Sequence, residues 1–109
     1  MRDPDEMLEE LEAILEELRE LARESVILVE GRRDRDALGQ LGVRGEIVQV
    51  QDAGGILGVA EELASRGRSA VILTDWDRKG GQLAELLRNA LRACDVPYDD
   101  GVRMKMAVL

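Results

Sequence analysis

Three acids carry the chemistry open to this sequence. Glu30 closes the run SVILVE and is followed at once by Gly31; Asp75 and Asp77 bracket a single residue in ILTDWDRKGG, residues 72–81. Carboxylates this close repel, and some would be forced to hold protons unless something offset their charge. A hard divalent cation with oxygen ligands removes the conflict, which points to Mg²⁺ or Mn²⁺. Asp34, one helical turn beyond Glu30, can reach the rim of the same site. Arg32, Arg33, Arg78 and Lys79 stand beside these acids, and Gly31, Gly80 and Gly81 would let backbone approach a bulky anion. A metal on phosphate oxygens, with guanidinium and ammonium groups on the remaining charge, is the equipment of phosphoryl chemistry. The stretch Lys79-Gly80-Gly81 is expected to precede a helix beginning near Gln82, whose free N–H groups favour an anion. With no histidine and one cysteine, Cys94, zinc sites and histidine-based triads are excluded.

Such acids need elements to bring them together, and the pattern supplies them. Residues 4–24 read as a helix, with Asp3 as N-cap, Pro4 in the first turn, and Glu6 three residues after the cap. Leu8, Leu11, Leu15, Leu18 and Ala22 recur at three- and four-residue steps, widened by Ile14 and Leu21, with glutamates opposite. That face suits packing on the body, with a coiled-coil or dimer contact as the alternative. Residues 25–31 read as a first strand, 34–41 as a short helix, 46–50 as a second strand and 51–55 as a turn. Residues 56–67 form a helix closed by Gly67, 69–75 a third strand apolar on both faces, and 82–94 an amphipathic helix. The loop 95–101 precedes a last strand over 102–109. Strands alternating with helices imply a parallel sheet with right-handed crossovers, at whose carboxyl edge ligands bind. Glu30 and the two aspartates then converge if their strands are neighbours.

The 109 residues allow one domain, here an acidic helix over 1–24 on an α/β body over 25–109. Aromatic residues are 2% with no Phe, so the core must be aliphatic. No apolar run approaches the roughly 20 residues of a bilayer span, no signal peptide is visible, and a lone cysteine fits a reducing cytoplasm. The final apolar run, MAVL, would suit a longer C-terminus. Net charge is −8, a superficial argument against nucleic acid. Residues 1–24 hold ten acids against three arginines, or −7, while 25–109 hold 13 acids and 12 bases, or −1. The surplus is confined to one helix, and a bound dication would turn the local balance at the acids positive.

VILVEGRRDRDAL followed by AVILTDWDRKGGQLAELL resembles the Toprim domain, the catalytic module of topoisomerases, bacterial-type primases and several small nucleases. Glu30 matches the Glu that ends the family's first strand, Asp34 the Asp of its V-E-G-x-x-D, and Asp75 and Asp77 its D-x-D. The family's intermediate glycine falls near Gly54 or Gly55. The likeness covers roughly residues 25–95 and is closest to small stand-alone archaeal Toprim proteins and ribosomal-RNA maturation nucleases. It implies a three-layer, Rossmann-like fold of about four mostly parallel strands between helices. It also implies Mg²⁺ on the acids, Glu30 as general acid or base, and phosphodiester making or breaking on DNA or RNA. Topoisomerase action is not expected, since the lone tyrosine, Tyr98, sits in an Asp-rich loop; primase action needs template-binding regions that this length omits.

Other residues invite overreading. Gly54-Gly55-x-x-Gly58 lacks full dinucleotide-loop spacing. Trp76 could stack on a base or simply cover the sheet edge. Cys94 falls on an apolar helix face and reads as core. Arg88 and Arg92, four apart, suit a solvated face or an extended phosphate track. Two non-enzymatic alternatives remain. In one, a Toprim module docks RNA, DNA or a protein, with residues 4–24 contacting a basic partner or a second copy. The other, a phospho-acceptor receiver, would need an acidic pair after the first strand and a lysine after a fifth, and the chain offers neither.

Overall fold

The computed structural model describes residues 3–75 and 77–109. Helix α1 (Pro4–Glu24) starts where Asp3 accepts the Asp5 N–H and Pro4 fills the first turn. Its apolar face buries Ile14, Leu15, Leu18 and Ala22. Residues 4–10 are exposed, and Leu8, expected on the packed face, is 58% exposed because the first turns run past the body.

Strand β1 (Ser25–Val29) follows directly and is buried at every position. It is central in a four-stranded sheet of order β2-β1-β3-β4, where β2 is Ile47–Gln49, β3 Ser69–Ile72 and β4 Tyr98–Asp99. Every pairing is parallel. Side-chain alternation along β1 divides the core. Val26 and Leu28 join Ala70, Ile72, Leu63, Leu87 and Leu91 on the face covered by α3 (Ile56–Ser65) and α4 (Arg78–Ala93). Ile27 and Val29 join Val71, Leu18, Leu38 and Val102 on the opposite face, under α1, α2 (Arg32–Gln40) and α5 (Gly101–Ala107). The result is the expected three-layer α/β arrangement, and the sheet is wholly parallel. Gly67, at φ +64°, closes α3 as anticipated.

Four elements differ from the sequence expectation. The terminal segment is helix α5, not a strand: Val102 is fully buried, Met106 packs four residues on, and Met104 between them is 59% exposed. The last strand lies instead inside the supposed loop, where Tyr98 and Asp99 pair with Ala70 and Val71. Alternating Val/Met residues fit either period, and the turn at Asp99, whose Oδ1 accepts the Gly101 N–H at 2.9 Å, decides it. The helices α2 and α4 also begin earlier than expected, at Arg32 and Arg78. Among the described residues no helix is long and apolar enough to cross a membrane.

Candidate active site

β1 and β3 are neighbours in register Leu28↔Ile72, so extending both by two residues sets Glu30 beside Thr74 and next to Asp75. The helices that follow them leave on opposite faces, α2 on one and α4 on the other. This is the strand-order reversal at which parallel sheets open a crevice. The ladder ends where the Leu73 N–H donates to Leu28 O at 2.9 Å, and side chains hold the backbone beyond it.

The backbone of Asp75 is held at both its N–H and its carbonyl. Its N–H donates to Glu30 Oε1 at 3.0 Å, and its carbonyl accepts from Arg103 Nη2 at 2.7 Å. Arg103 Nε also bonds Thr74 O and Oγ1, both at 3.1 Å. Thr74, 2% exposed, donates its hydroxyl to Gly80 O at 2.8 Å. Gly80 in turn donates its N–H to Asp77 Oδ1 at 2.7 Å, making Asp77 the N-cap of α4.

These contacts reassign the glycines. Gly80 and Gly81 lie in the first turn of α4, not in a loop before it, and both amides are used internally, by Asp77 Oδ1 and Asp77 O. Gly80 is buried, and a Cβ there would stand 1.9 Å from Asp75 O. Its smallness brings α4 against the strand end; neither glycine offers a free amide to an anion. Gly31 is the N-cap of α2, its N–H donated to Asp34 Oδ2 at 3.3 Å.

Glu30, Gly31, Arg32, Arg33, Asp34, Gln51 and Asp75 line one open cavity of about 300 Å³. Glu30 and Gln51 also line a second cavity, of about 440 Å³, with Lys79, Gln82, Ile56 and Leu83. The two adjoin at Glu30 and Gln51, with arginines lining the first and Lys79 the second. The structure thus brings Glu30, Asp34 and Asp75 together, while the Asp77 carboxylate is turned to its cap. Among the described residues no three carboxylate, cysteine or histidine side chains stand within reach of a common ion as placed. The carboxyl of Asp75 is nonetheless held above its usual range, first by partial burial, then by the negative charges of Asp34 and Asp77, with Arg103 opposing.

Arg32 pairs with Asp36 at 3.7 Å, and Arg32, Arg33, Arg78 and Lys79 are all exposed. They occupy the first turns of α2 and α4, where the helix dipole disfavours cations. Arg88 is half-buried and bonds Asp100 at 2.9 Å and Glu85 at 2.7 Å. Arg92 is exposed and lies over the Tyr98 ring at 5.7 Å. Cys94 is partly buried against the core, and the readings placed on Trp76 fall outside the described residues. Sequence reasoning missed Arg103 altogether. Its segment was read as a strand, and no local signal ties it to residue 75.

The Toprim domain family model matches residues 25–108. The chain is 32% identical to the UPF0292 protein MJ1624 of Methanocaldococcus jannaschii, over 95% of this chain and 81% of that protein. It is 41% identical to a UPF0292 protein of Thermococcus gammatolerans, over 85% of this chain and 67% of the other. Among solved structures, a protein from Aquifex aeolicus superposes with a TM-score of 0.79, covering 90% of this chain and 89% of its own, at 24% identity. At that identity the likeness speaks for the fold alone.

Proposed function

The chain belongs to the Toprim family, and from that premise we propose that it makes or breaks phosphodiester bonds in nucleic acid with Mg²⁺ or Mn²⁺, most simply as a nuclease. Membership carries the coarser statement, metal-dependent chemistry connected with nucleic acid. The observation that supports the finer one is the meeting of Glu30 with Asp75 across the β1–β3 crevice, beside Asp34.

The donor set suits a hard dication: every acid at the edge offers oxygen, and burial with the charges of Asp34 and Asp77 disfavours the charge on Asp75, which Arg103 offsets only in part. Asp75, Asp77 and Glu30 would hold the ion, with Asp34 at the rim; Asp77 would exchange its cap bond to Gly80 for that role. When bound, such an ion polarises a phosphoryl oxygen and offsets the charge that develops in the transition state. The chain's own residues do the rest. Arg32 and Arg33 at the first cavity, and Lys79 at the second with Arg78 next to it in the chain, bind and orient the backbone phosphates. The Glu30 carboxylate takes the proton of the attacking hydroxyl or water, or returns one to the leaving oxygen. The cations at the two helix starts fit this reading, since they are locally unfavourable and stabilised once an anion lies between them.

The test is cleavage of labelled single- and double-stranded DNA and RNA with Mg²⁺ or Mn²⁺. Glu30→Gln and Asp75→Asn should each reduce the rate by at least about 100-fold, the range of a lost general acid–base group. Full activity in either variant, with the fold intact by circular dichroism, would refute the assigned roles.

A second reading has its own observation. The first turns of α1 stand clear of the body with Met7 and Leu8 exposed amid glutamates. A Toprim module without catalysis would use this surface to dock a basic protein partner or a second copy. Loss of a partner on deleting residues 4–10, with no cleavage by the intact chain, would favour it.

A further inference from the structure

Beyond Leu73 the β3 backbone leaves the ladder, and the two residues that follow must carry an acid to a fixed place without neighbouring strands to hold them. A misdirection of about 0.5 Å or 10–20° is enough to spoil a site of this kind. Arg103 arrives from α5, near the other end of the chain, and places three bonds on this segment: Nε on Thr74 O and Oγ1, Nη2 on Asp75 O. A guanidinium is a planar fork and can span adjacent carbonyls in a fixed geometry, which a lysine ammonium cannot. Through Thr74 the contact reaches Gly80, and through the Gly80 amide it reaches the Asp77 cap. Arg103 therefore stands behind both acids of the D-x-D while touching neither carboxylate in any hydrogen bond.

We propose that Arg103 is the positioning residue of the acidic site, fixing the peptide of Asp75 so that its carboxylate meets an incoming dication beside Glu30. This rests on the metal-binding reading above and adds a residue to it. A competing role predicts the opposite sign. Were Arg103 only a counter-charge for crowded carboxylates, it would compete with the metal, and removing it would tighten metal binding. Were it only a prop for α5, any break in the anchoring of α5 would act alike. The Arg88–Asp100 pair supplies that comparison, since it holds the start of α5 without contact to residues 74 and 75.

The experiment is a Mn²⁺ titration, read by the electron paramagnetic resonance of the free ion, on wild type, Arg103→Lys, Arg103→Met and Arg88→Met. Melting temperature is recorded for each. Both Arg103 variants should lose about 10-fold to 100-fold in Mn²⁺ affinity, the usual cost of removing a group that orients a metal ligand. Arg88→Met should melt lower yet bind Mn²⁺ within about twofold of wild type. Tighter binding by Arg103→Met with Arg103→Lys unchanged would overturn the proposal in favour of a counter-charge. Equal losses in all three variants would reduce Arg103 to a prop. Should Arg103→Met fail to fold, Arg103→Lys decides, because it keeps the charge and loses the fork. Absence of Mn²⁺ binding by wild type would refute the metal reading itself, a result distinct from wild-type binding that Arg103 does not influence.

Discussion

Asp75 is in a local environment that disfavours its own ionisation. Burial and the charges of Asp34 and Asp77 raise its carboxyl, and Arg103 offsets only part of this. The linkage has a definite sign. A carboxyl raised in the folded state stabilises the fold while protonated and withdraws that contribution as pH climbs through its folded value. At neutral pH without metal, ionised Asp75 therefore costs stability. Asp75→Asn should melt higher than wild type in EDTA at pH 7, and the gap should close as pH falls below the carboxylate range. Saturating Mg²⁺ should reverse the order, since only wild type gains the binding term, about 2.7 kcal/mol at 100 times Kd. Thermal denaturation with and without Mg²⁺ measures both. An Asn variant that melts lower under every condition would show the carboxylate to be structural.

Between elements, the same physics stabilises. Glu46 enters β2 and bonds Arg66, at the end of α3, through both oxygens, with Arg68 alongside at 3.6 Å. Its carbonyl also accepts the Ile27 N–H at 3.0 Å, fixing the entry of β2 beside β1. The Glu46 carboxyl lies below its usual range, chiefly through the Arg66 hydrogen bonds. Here the contribution is present above the ordinary glutamate value and is lost as pH falls through the lowered one. Glu46→Gln should accordingly melt below wild type at pH 7, and the two curves should converge in acid; a constant gap from pH 7 to pH 3 would assign the effect to packing. The early starts of α2 and α4 belong to this scale too. They place Arg32, Arg33, Arg78 and Lys79 in first turns that their dipoles oppose, so stability is conceded where an anion is expected.

Over the whole molecule, charge is segregated. Residues 1–24 carry −7 and the remainder −1, so the negative surplus lies on α1. A polyanion gains little from such a surface by counterion release alone. Association with nucleic acid should then depend on the dication: fluorescence anisotropy of a labelled strand should show weak binding in EDTA and at least about 10-fold tighter binding in Mg²⁺, more than general screening supplies. Equal affinity in EDTA would mean that the arginines and Lys79 suffice and that the acids serve another end.

How much of this was written in the linear chain follows from the range of the interactions. The α/β class, the central strands, the α1 cap at Asp3 and the stop at Gly67 rest on spacing and local hydrogen bonds, which a sequence displays. That Glu30 and Asp75 meet was legible for the same reason: each follows an apolar run, and parallel strands end at one edge. The last quarter was misread because Val102, Met104 and Met106 satisfy two periods at once, and burial of alternate residues was decided by what lay beneath them. Only folding could show that Gly80 yields space to Asp75 O, that Asp77 spends a carboxylate oxygen on a cap, and that Arg103 grips the peptide of Asp75. These contacts join residues whose proximity depends on sheet order and helix crossings. Side-chain periodicity encodes which elements form and which faces they bury; it holds no record of which distant group completes a hydrogen bond at their ends.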